Sequence, residues 1–162
     1  MTNFKIRNVS QNDFKRIVEL NSSEVENTSE MDLEKVTDLD ALAVYHKAIV
    51  IDGEVEGFLL AIPSGRNYVN ENYSWFSSRY EQFHYIDRIV VSSSCYGKGL
   101  GSALYSDLFS FSKSRVNTIA CEYNLEPLNT ASKALHLKYG FTEVGRHFVS
   151  NEKLVSLQVK ET

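Results

Sequence analysis

The chain has 162 residues, 43% of them apolar, enough for one domain that buries about two thirds of its unfolded surface and too few for two. A formal net charge of −4 with no long run among the 17 Lys and Arg residues excludes a nucleic-acid binder, which needs clustered cations to neutralise phosphates. Cys95 and Cys121 are too few and too widely spaced for a metal site or a disulfide framework, and no stretch approaches the roughly 18 apolar residues of a membrane span. Met1 to Lys5 lacks the apolar core of a signal peptide, so a cytoplasmic location is expected.

Lys5 to Val9 alternates as a short strand, and Ser10 with Asp13 forms a capping-box pattern that opens a helix from Asn12 to Leu20, with Phe14, Ile17, Val18 and Leu20 inward. The acidic stretch Ser22 to Glu30 reads as a loop. Leu33, Val36, Leu39, Leu42 and Ala43 recur at helical spacing and predict a second helix through about Tyr45. Ala48–Ile51 and Gly57–Ile62 flank Asp52-Gly53, a strong two-residue turn signal, and predict an antiparallel hairpin ended by Pro63. Ser64 to Gln82 reads as irregular, yet its Tyr68, Tyr73, Trp75, Phe76 and Tyr80 are too aromatic for a solvated linker. It either caps the core or forms a wall of a pocket. His84–Val91 is a fourth strand, Gly99 to about Lys113 a helix with Leu100, Ala103, Leu104, Leu108 and Phe111 inward, and Thr118–Tyr123 a fifth strand, together one βαβ unit. Asn129–Tyr139 is a last helix closed by Gly140, and Phe141–Val149 and Leu154–Val159 are two closing strands.

The most informative segment is Tyr96-Gly97-Lys98-Gly99-Leu100-Gly101, between a strand and a helix. Glycines allow positive φ and close backbone approach, and the first N–H groups of a helix point outward at a positive dipole end, so the segment is a cradle for an anion. A nucleoside-triphosphate loop is excluded, because it needs four residues between its glycines and Ser or Thr after Lys, whereas Gly99 follows Lys98. The dinucleotide fingerprint fits Gly97, Gly99 and a later Glu122 but meets Ser102 at its third position, and it belongs to the first unit of a repeated parallel array, which one βαβ unit after a hairpin is not. Nucleotide-cofactor oxidoreduction is therefore the weaker enzyme reading.

Val90-Val91, Tyr96 to Leu104, then Asn129, Ser132, Leu135 and Lys138-Tyr139-Gly140-Phe141 together resemble the GNAT superfamily of acetyl-CoA-dependent N-acetyltransferases over about Ile6 to Phe148. Asn72 to Phe76, Asp87 to Ile89 and Cys121 to Asn124 are similar to a bacterial group of such enzymes with no established acceptor. The resemblance implies a single α/β (α+β) domain over 1–162: a mixed, mostly antiparallel twisted sheet of about seven strands, one parallel pair at the fourth and fifth strands splayed to admit acetyl-CoA, and helices on both faces. It implies transfer of acetyl from acetyl-CoA to a primary amine, on a small molecule, an amino acid or a protein N-terminus, by direct attack in a ternary complex, with no metal. A CoA-binding sensor or partner protein without catalysis is the alternative from another class.

The same resemblance nominates residues. Tyr96, Gly97, Lys98, Gly99, Leu100, Gly101 and Ser102 would hold the coenzyme diphosphate, the backbone of Ile89, Val90 and Val91 its pantetheine arm and thioester oxygen, and Asn129 and Ser132 the arm's far side. The family usually has Arg or Gln at Tyr96, so anion binding falls to backbone amides and Lys98. Asp87 is the first choice of general base, sharing a strand face with Tyr85 and Ile89, with a salt bridge to Arg88 as its structural counterpart; Glu122 and His84 are alternates. His136 stands where the family often has a general-acid Tyr, which moves the proton donor to an imidazole, unless it is simply an exposed helix residue. Asn129 also suits a helix N-cap. Tyr73, Trp75 and Tyr85 are candidates to line the acceptor site, and an amine acceptor, no nucleic acid or membrane, and self-association through the C-terminal strands complete the expectations.

Overall fold

The computed structural model describes residues 3–24, 28–126, 128–149 and 153–162. Seven strands among them form one sheet in the order β1-β2-β3-β4-β5-β7-β6. The elements in chain order are β1 (Lys5–Asn8), α1 (Phe14–Ser22), α2 (Leu33–Leu42), β2 (Tyr45–Ile51), β3 (Glu54–Pro63), α3 (Glu71–Ser77), β4 (His84–Val91), α4 (Leu100–Ser112), β5 (Thr118–Glu126), α5 (Thr130–Lys138), β6 (Thr142–Val149) and β7 (Lys153–Glu161). The pairs β1/β2, β2/β3, β5/β7 and β6/β7 are antiparallel, while β4 and β5 are parallel through His84↔Ile119 and Tyr85↔Ala120, because α4 carries the chain back across the sheet between them. The expected architecture is thus the observed one. The residues group into two compact units, 1–62 with 86–111 and 63–85 with 112–162.

In the first unit the capping box at Ser10 and Asp13 forms as the sequence predicts, with Ser10 N–H donating to Asp13 Oδ2 at 2.8 Å. Arg7 closes on the same carboxylate in a bidentate pair at 2.7 and 2.9 Å, and that hydrogen-bonded charge holds Asp13 down at about 2. Phe14, Ile17 and Leu20 are buried from α1, as are Val36 and Leu39 from α2. The second helix ends earlier than its spacing implied: Tyr45 opens β2, and Leu33 is exposed. Tyr45 and His46 explain why. As strand neighbours they point to opposite faces, Tyr45 Oη donating to Asp107 of α4 at 2.8 Å and His46 Nδ1 donating to Asp40 of α2 at 2.7 Å, so one helix covers each face. The Asp52-Gly53 turn has φ of 50° and 82°, the mirror-image turn that suits a right-twisted hairpin. Gly57 is required by close approach, since a Cβ there would lie 2.9 Å from Val90 O and 3.0 Å from Ile49 Cγ2. Of the acidic stretch expected to be a loop, 25–27 lie outside the described residues and Ser22 still belongs to α1.

In the second unit the segment read as irregular contains α3, a correction with a local cause: Asn70 Oδ1 accepts from Tyr73 N–H at 3.0 Å and caps a helix too short to show a full apolar period. Tyr73 and Phe76, three apart, bury one face of it against Phe83 and Tyr85, at ring-centroid distances of 5.6 to 6.2 Å. The α5 helix ends in a Schellman motif, with Phe141 N–H donating to His136 O and Gly140 N–H to Leu137 O, and Gly140 at φ 80°.

Candidate functional site

The first unit carries the glycine turn. After β4 a single 3-10 turn spans Ser93–Cys95, and Tyr96 to Gly99 lead into α4. Gly97 and Gly99 sit at φ 80° and 78°, so the chain visits the left-handed region twice around Lys98, where any other residue would be strained. The foot of the turn is fastened. Ser92 N–H donates to Glu56 O at 2.7 Å, while the Glu56 carboxylate accepts from the Cys95 thiol at 3.1 Å and from Arg16 Nη2 at 3.3 Å. Burial pushes the Glu56 carboxyl up, but the Cys95 hydrogen bond, the Arg16 charge and the hydrogen bonds of Ser92 and Arg16 together outweigh it and hold the group below its ordinary range.

Leu100 is buried behind the tip, whereas Tyr96, Gly97, Lys98 and Gly99 are exposed. A helical bond of α4 runs from Ala103 N–H to Gly99 O at 3.0 Å, which places the N–H groups of Leu100 and Gly101 at the positive end of the helix. Gly101 is not at positive φ, and a Cβ built on it meets no atom of the described residues within 4 Å. Nothing in the packing of the described residues asks for glycine there; a ligand lying against the backbone would. A row of amide donors with one Lys and an uncovered glycine is the donor set that fits a diphosphate.

Along β4, Val90 is buried and Ile89 and Val91 are half-buried. Asp87 accepts from Arg88 Nε at 2.7 Å, and both side chains are only 2% exposed, so the salt bridge weighed from the sequence is present and buried. Tyr96 Oη donates to Glu24, and that hydrogen bond, with burial, pushes the phenol up to about 12.

The second unit holds two further groups. Tyr85 is buried and its Oη lies 2.9 and 2.8 Å from the two oxygens of Glu122, donating to the carboxylate. His84 shares a 2.7 Å hydrogen bond with Ser112 Oγ; burial, with a smaller push from Arg115, takes the imidazole down to about 4. Cys121 is buried beside Glu122, and burial pushes its thiol well up, so it stays protonated and unreactive. In α5, Asn129 Oδ1 accepts from Ser132 N–H at 3.1 Å and caps the helix. One turn on, His136 Nδ1 donates to Ser132 O at 2.5 Å, the ring stacks on Tyr123 and meets Phe141 edge-on, and only 3% of the residue is exposed. The reading of His136 as an exposed helix residue does not hold. Burial lowers its pKa against the opposing Ser132 carbonyl, so at neutral pH Nδ1 carries the proton and Nε2 is an acceptor.

Of the aromatic residues expected around an acceptor, Tyr73 is core: its Oη donates to Pro63 O at 2.7 Å and accepts from Arg66 N–H at 3.0 Å. Trp75 is half-buried, with Arg79 over one side at 3.9 Å from the ring centroid and Gly145 so near that a Cβ would lie 2.5 Å from the indole. It lines a cavity of about 580 Å³ with Val69, Asn70, Ser74 and His147. The anchors Glu56 and Arg16, and the contacts of Arg88 with Asn21 and Ser29, were not legible in advance, because each joins residues 39 or more positions apart. Among the described residues no helix is long and apolar enough to cross a membrane.

The family profile described as "Acetyltransferase (GNAT) family" matches residues 11–141. No curated protein matches the sequence significantly. Among solved structures, Ard1 from Thermoplasma volcanium superposes with a TM-score of 0.79 at 16% identity, over 98% of this chain and 97% of that one. NAA60 from Arabidopsis thaliana, solved in complex with a bisubstrate analogue, gives 0.78 at 16% identity over 98% of each chain. The yncA protein from Salmonella typhimurium, solved with its cofactor acetyl-CoA, gives 0.73 at 18% identity over 99% of this chain and 94% of that one. At these identities the likeness is one of fold.

Proposed function

We propose, because the chain belongs to the acetyltransferase (GNAT) family, that it moves the acetyl group of acetyl-CoA to a primary amine by direct attack in a ternary complex, and that residues 1–162 act as one N-acetyltransferase domain. The observation that carries this reading is the glycine turn after β4, with two exposed left-handed glycines leading into the N–H groups at the start of α4 and a Gly101 whose side-chain position is open among the described residues. When bound, acetyl-CoA supplies an acyl group activated as a thioester. Backbone amides from Gly97 to Ser102, with Lys98, hold its diphosphate, and the Ile89–Val91 backbone orients the arm and gives an N–H to the carbonyl oxygen as negative charge develops. The Asn129 side-chain oxygen is committed to its cap, so the amide nitrogen is the atom that serves the coenzyme, beside Ser132.

The acceptor nitrogen must lose its proton before it attacks. Asp87 is held in a buried ion pair with Arg88, and taking up a proton there would leave a buried guanidinium without its counter-charge. Glu122 accepts from the Tyr85 phenol, so we assign it the general base, with Tyr85 orienting both carboxylate oxygens. His136, with Nδ1–H on Ser132 O, has no proton on Nε2 to give in its neutral form; it serves as an acceptor that orients its neighbours, and the leaving sulfur takes its proton from solvent. The acceptor class spans small cationic amines, amino acids and protein N-termini. A screen of polyamines, free amino acids and short peptides with isotope-labelled acetyl-CoA, read by mass, tests the proposal: a product heavier by one acetyl group supports it. Coenzyme binding without turnover across the whole panel would favour a sensor or partner protein instead.

A further inference from the structure

Arg88 does more than pair with Asp87. Its side chain is 2% exposed, and four of its N–H donors are accounted for: Nε to Asp87 Oδ2 at 2.7 Å, Nη1 to Asn21 Oδ1 at 3.0 Å and to Ser29 O at 2.9 Å, and Nη2 to Ser29 Oγ at 3.0 Å. Asn21, itself fully buried at the end of α1, closes the ring by donating from Nδ2 to the same Ser29 O at 2.9 Å. A lone ion pair would balance the guanidinium charge; the three further bonds all go to the C-terminal end of α1 and the connection to α2, 59 and 67 residues away in sequence. A planar fork with fixed donor directions, satisfied on both branches, permits one placement of Ser29 against the end of α1.

Ser29 also belongs to the wall of a cavity of about 690 Å³ lined by Ser22, Ser29, Glu30, Met31, Asp32 and Lys35. Met31 is buried, and Asp32 caps α2 through Lys35 N–H at 2.8 Å, so the wall is fixed at its α2 end by the helix cap and at Ser29 by Arg88 together with Asn21. We infer that Arg88 is a positioning residue: its buried guanidinium sets Ser29, and with it the cavity wall from Ser29 to Asp32, against the strand whose Ile89–Val91 backbone is assigned to the thioester. The inference rests on the proposed acetyl transfer, and it makes the cavity wall a determinant of how the acceptor, not the coenzyme, is held.

Ser29→Ala removes one accepted bond and leaves the ion pair intact, Ser29→Thr restores the hydroxyl, and Asn21→Leu breaks the ring from the other side. With an acceptor found in the amine screen, KM for that acceptor should rise about 5- to 20-fold in Ser29→Ala and Asn21→Leu and return to within about 2-fold of wild type in Ser29→Thr, while the Kd for CoA by calorimetry stays within about 2-fold throughout. Met31 is one of only two methionines, so methyl-labelled Met gives a second readout that needs no acceptor: its resonance should shift and broaden in Ser29→Ala and Asn21→Leu and match wild type in Ser29→Thr. An unchanged acceptor KM together with an unmoved Met31 methyl overturns the role of Arg88. Wild-type protein that binds CoA and acetylates nothing refutes the transfer itself, and the Met31 signal still decides whether Arg88 sets the wall.

Discussion

Replacing Gly101 by Ala should move stability and coenzyme binding in opposite directions. Gly101 is the second residue of α4, it is not at positive φ, and the added Cβ meets nothing among the described residues within 4 Å. In a helix interior Ala is favoured over Gly by about 0.8–1 kcal/mol; near the end of a helix about half of that is a fair expectation, a rise in Tm of roughly 1–2 °C for a chain of this size. If the open space is where the diphosphate lies, the methyl pushes it off the amides and forfeits at least one hydrogen bond to a charged group, worth about 1.5–3 kcal/mol, or roughly a 10- to 150-fold rise in Kd. Thermal unfolding without ligand and calorimetric titration with CoA read the two effects separately. A Kd that stays within about 2-fold of wild type would show that the space over Gly101 is not ligand space, and a Tm that drops by several degrees would show that the fold itself requires this glycine.

Glu122→Gln should lower kcat by about 10²–10⁴-fold while the Kd for CoA changes by no more than about 2-fold, and a variant that keeps its kcat would return the base to Asp87. Tyr85→Phe keeps the buried ring and removes the hydrogen bond to Glu122; steady-state rates should fall roughly 10-fold, and wild-type rates would show that the phenol does not orient the base. His46, His84 and His136 are buried with pKa values lowered chiefly by burial, and His46 Nε2 has no hydrogen-bond partner among the described residues. Their stabilisation is complete above the unfolded value near 6.5 and is lost as pH falls towards the folded values, about 4 for His84, so between pH 7 and pH 5 His84 alone should cost roughly 2 kcal/mol. The folded value of about 2 for Asp13 places its loss below this window, so urea midpoints at pH 7 and 5 report the histidines, and equal midpoints would contradict their burial as neutral rings. Gly57→Ala should destabilise by about 1–3 kcal/mol in the same urea assay, since its Cβ would press on Val90 O at 2.9 Å, and an unchanged midpoint would mean that β3 and β4 are less closely apposed.

The parts of the fold legible in the sequence are those with local causes. The Ser10–Asp13 box, the Asp52-Gly53 turn, the Asn129 cap and the Gly140 ending each lie within a few residues of their partners, and each appears in the structure where the sequence puts it. The short helix at Glu71–Ser77 escaped because its aromatic residues also suit a loop packed on a core and because about two turns carry too little periodicity. Tyr45 extended the second helix on paper by falling at helical spacing, whereas its phenol is claimed by Asp107, 62 residues away, on a strand. The candidate site divides the same way. The turn from Tyr96 to Ser102 is contiguous and readable, but the partners that anchor it or engage its neighbours (Glu56 on Cys95, Glu122 on Tyr85, Asn21 and Ser29 on Arg88) are brought up by topology and leave no trace in local spacing.

The central claim is that the amides from Gly97 to Ser102 hold the diphosphate of coenzyme A, and isothermal titration of CoA into the chain addresses it without any knowledge of the acceptor. One saturable site per chain is predicted, with dephosphorylated fragments that lack the diphosphate producing no heat. An absence of heat at saturating CoA, or equal binding by fragments without the diphosphate, would contradict it.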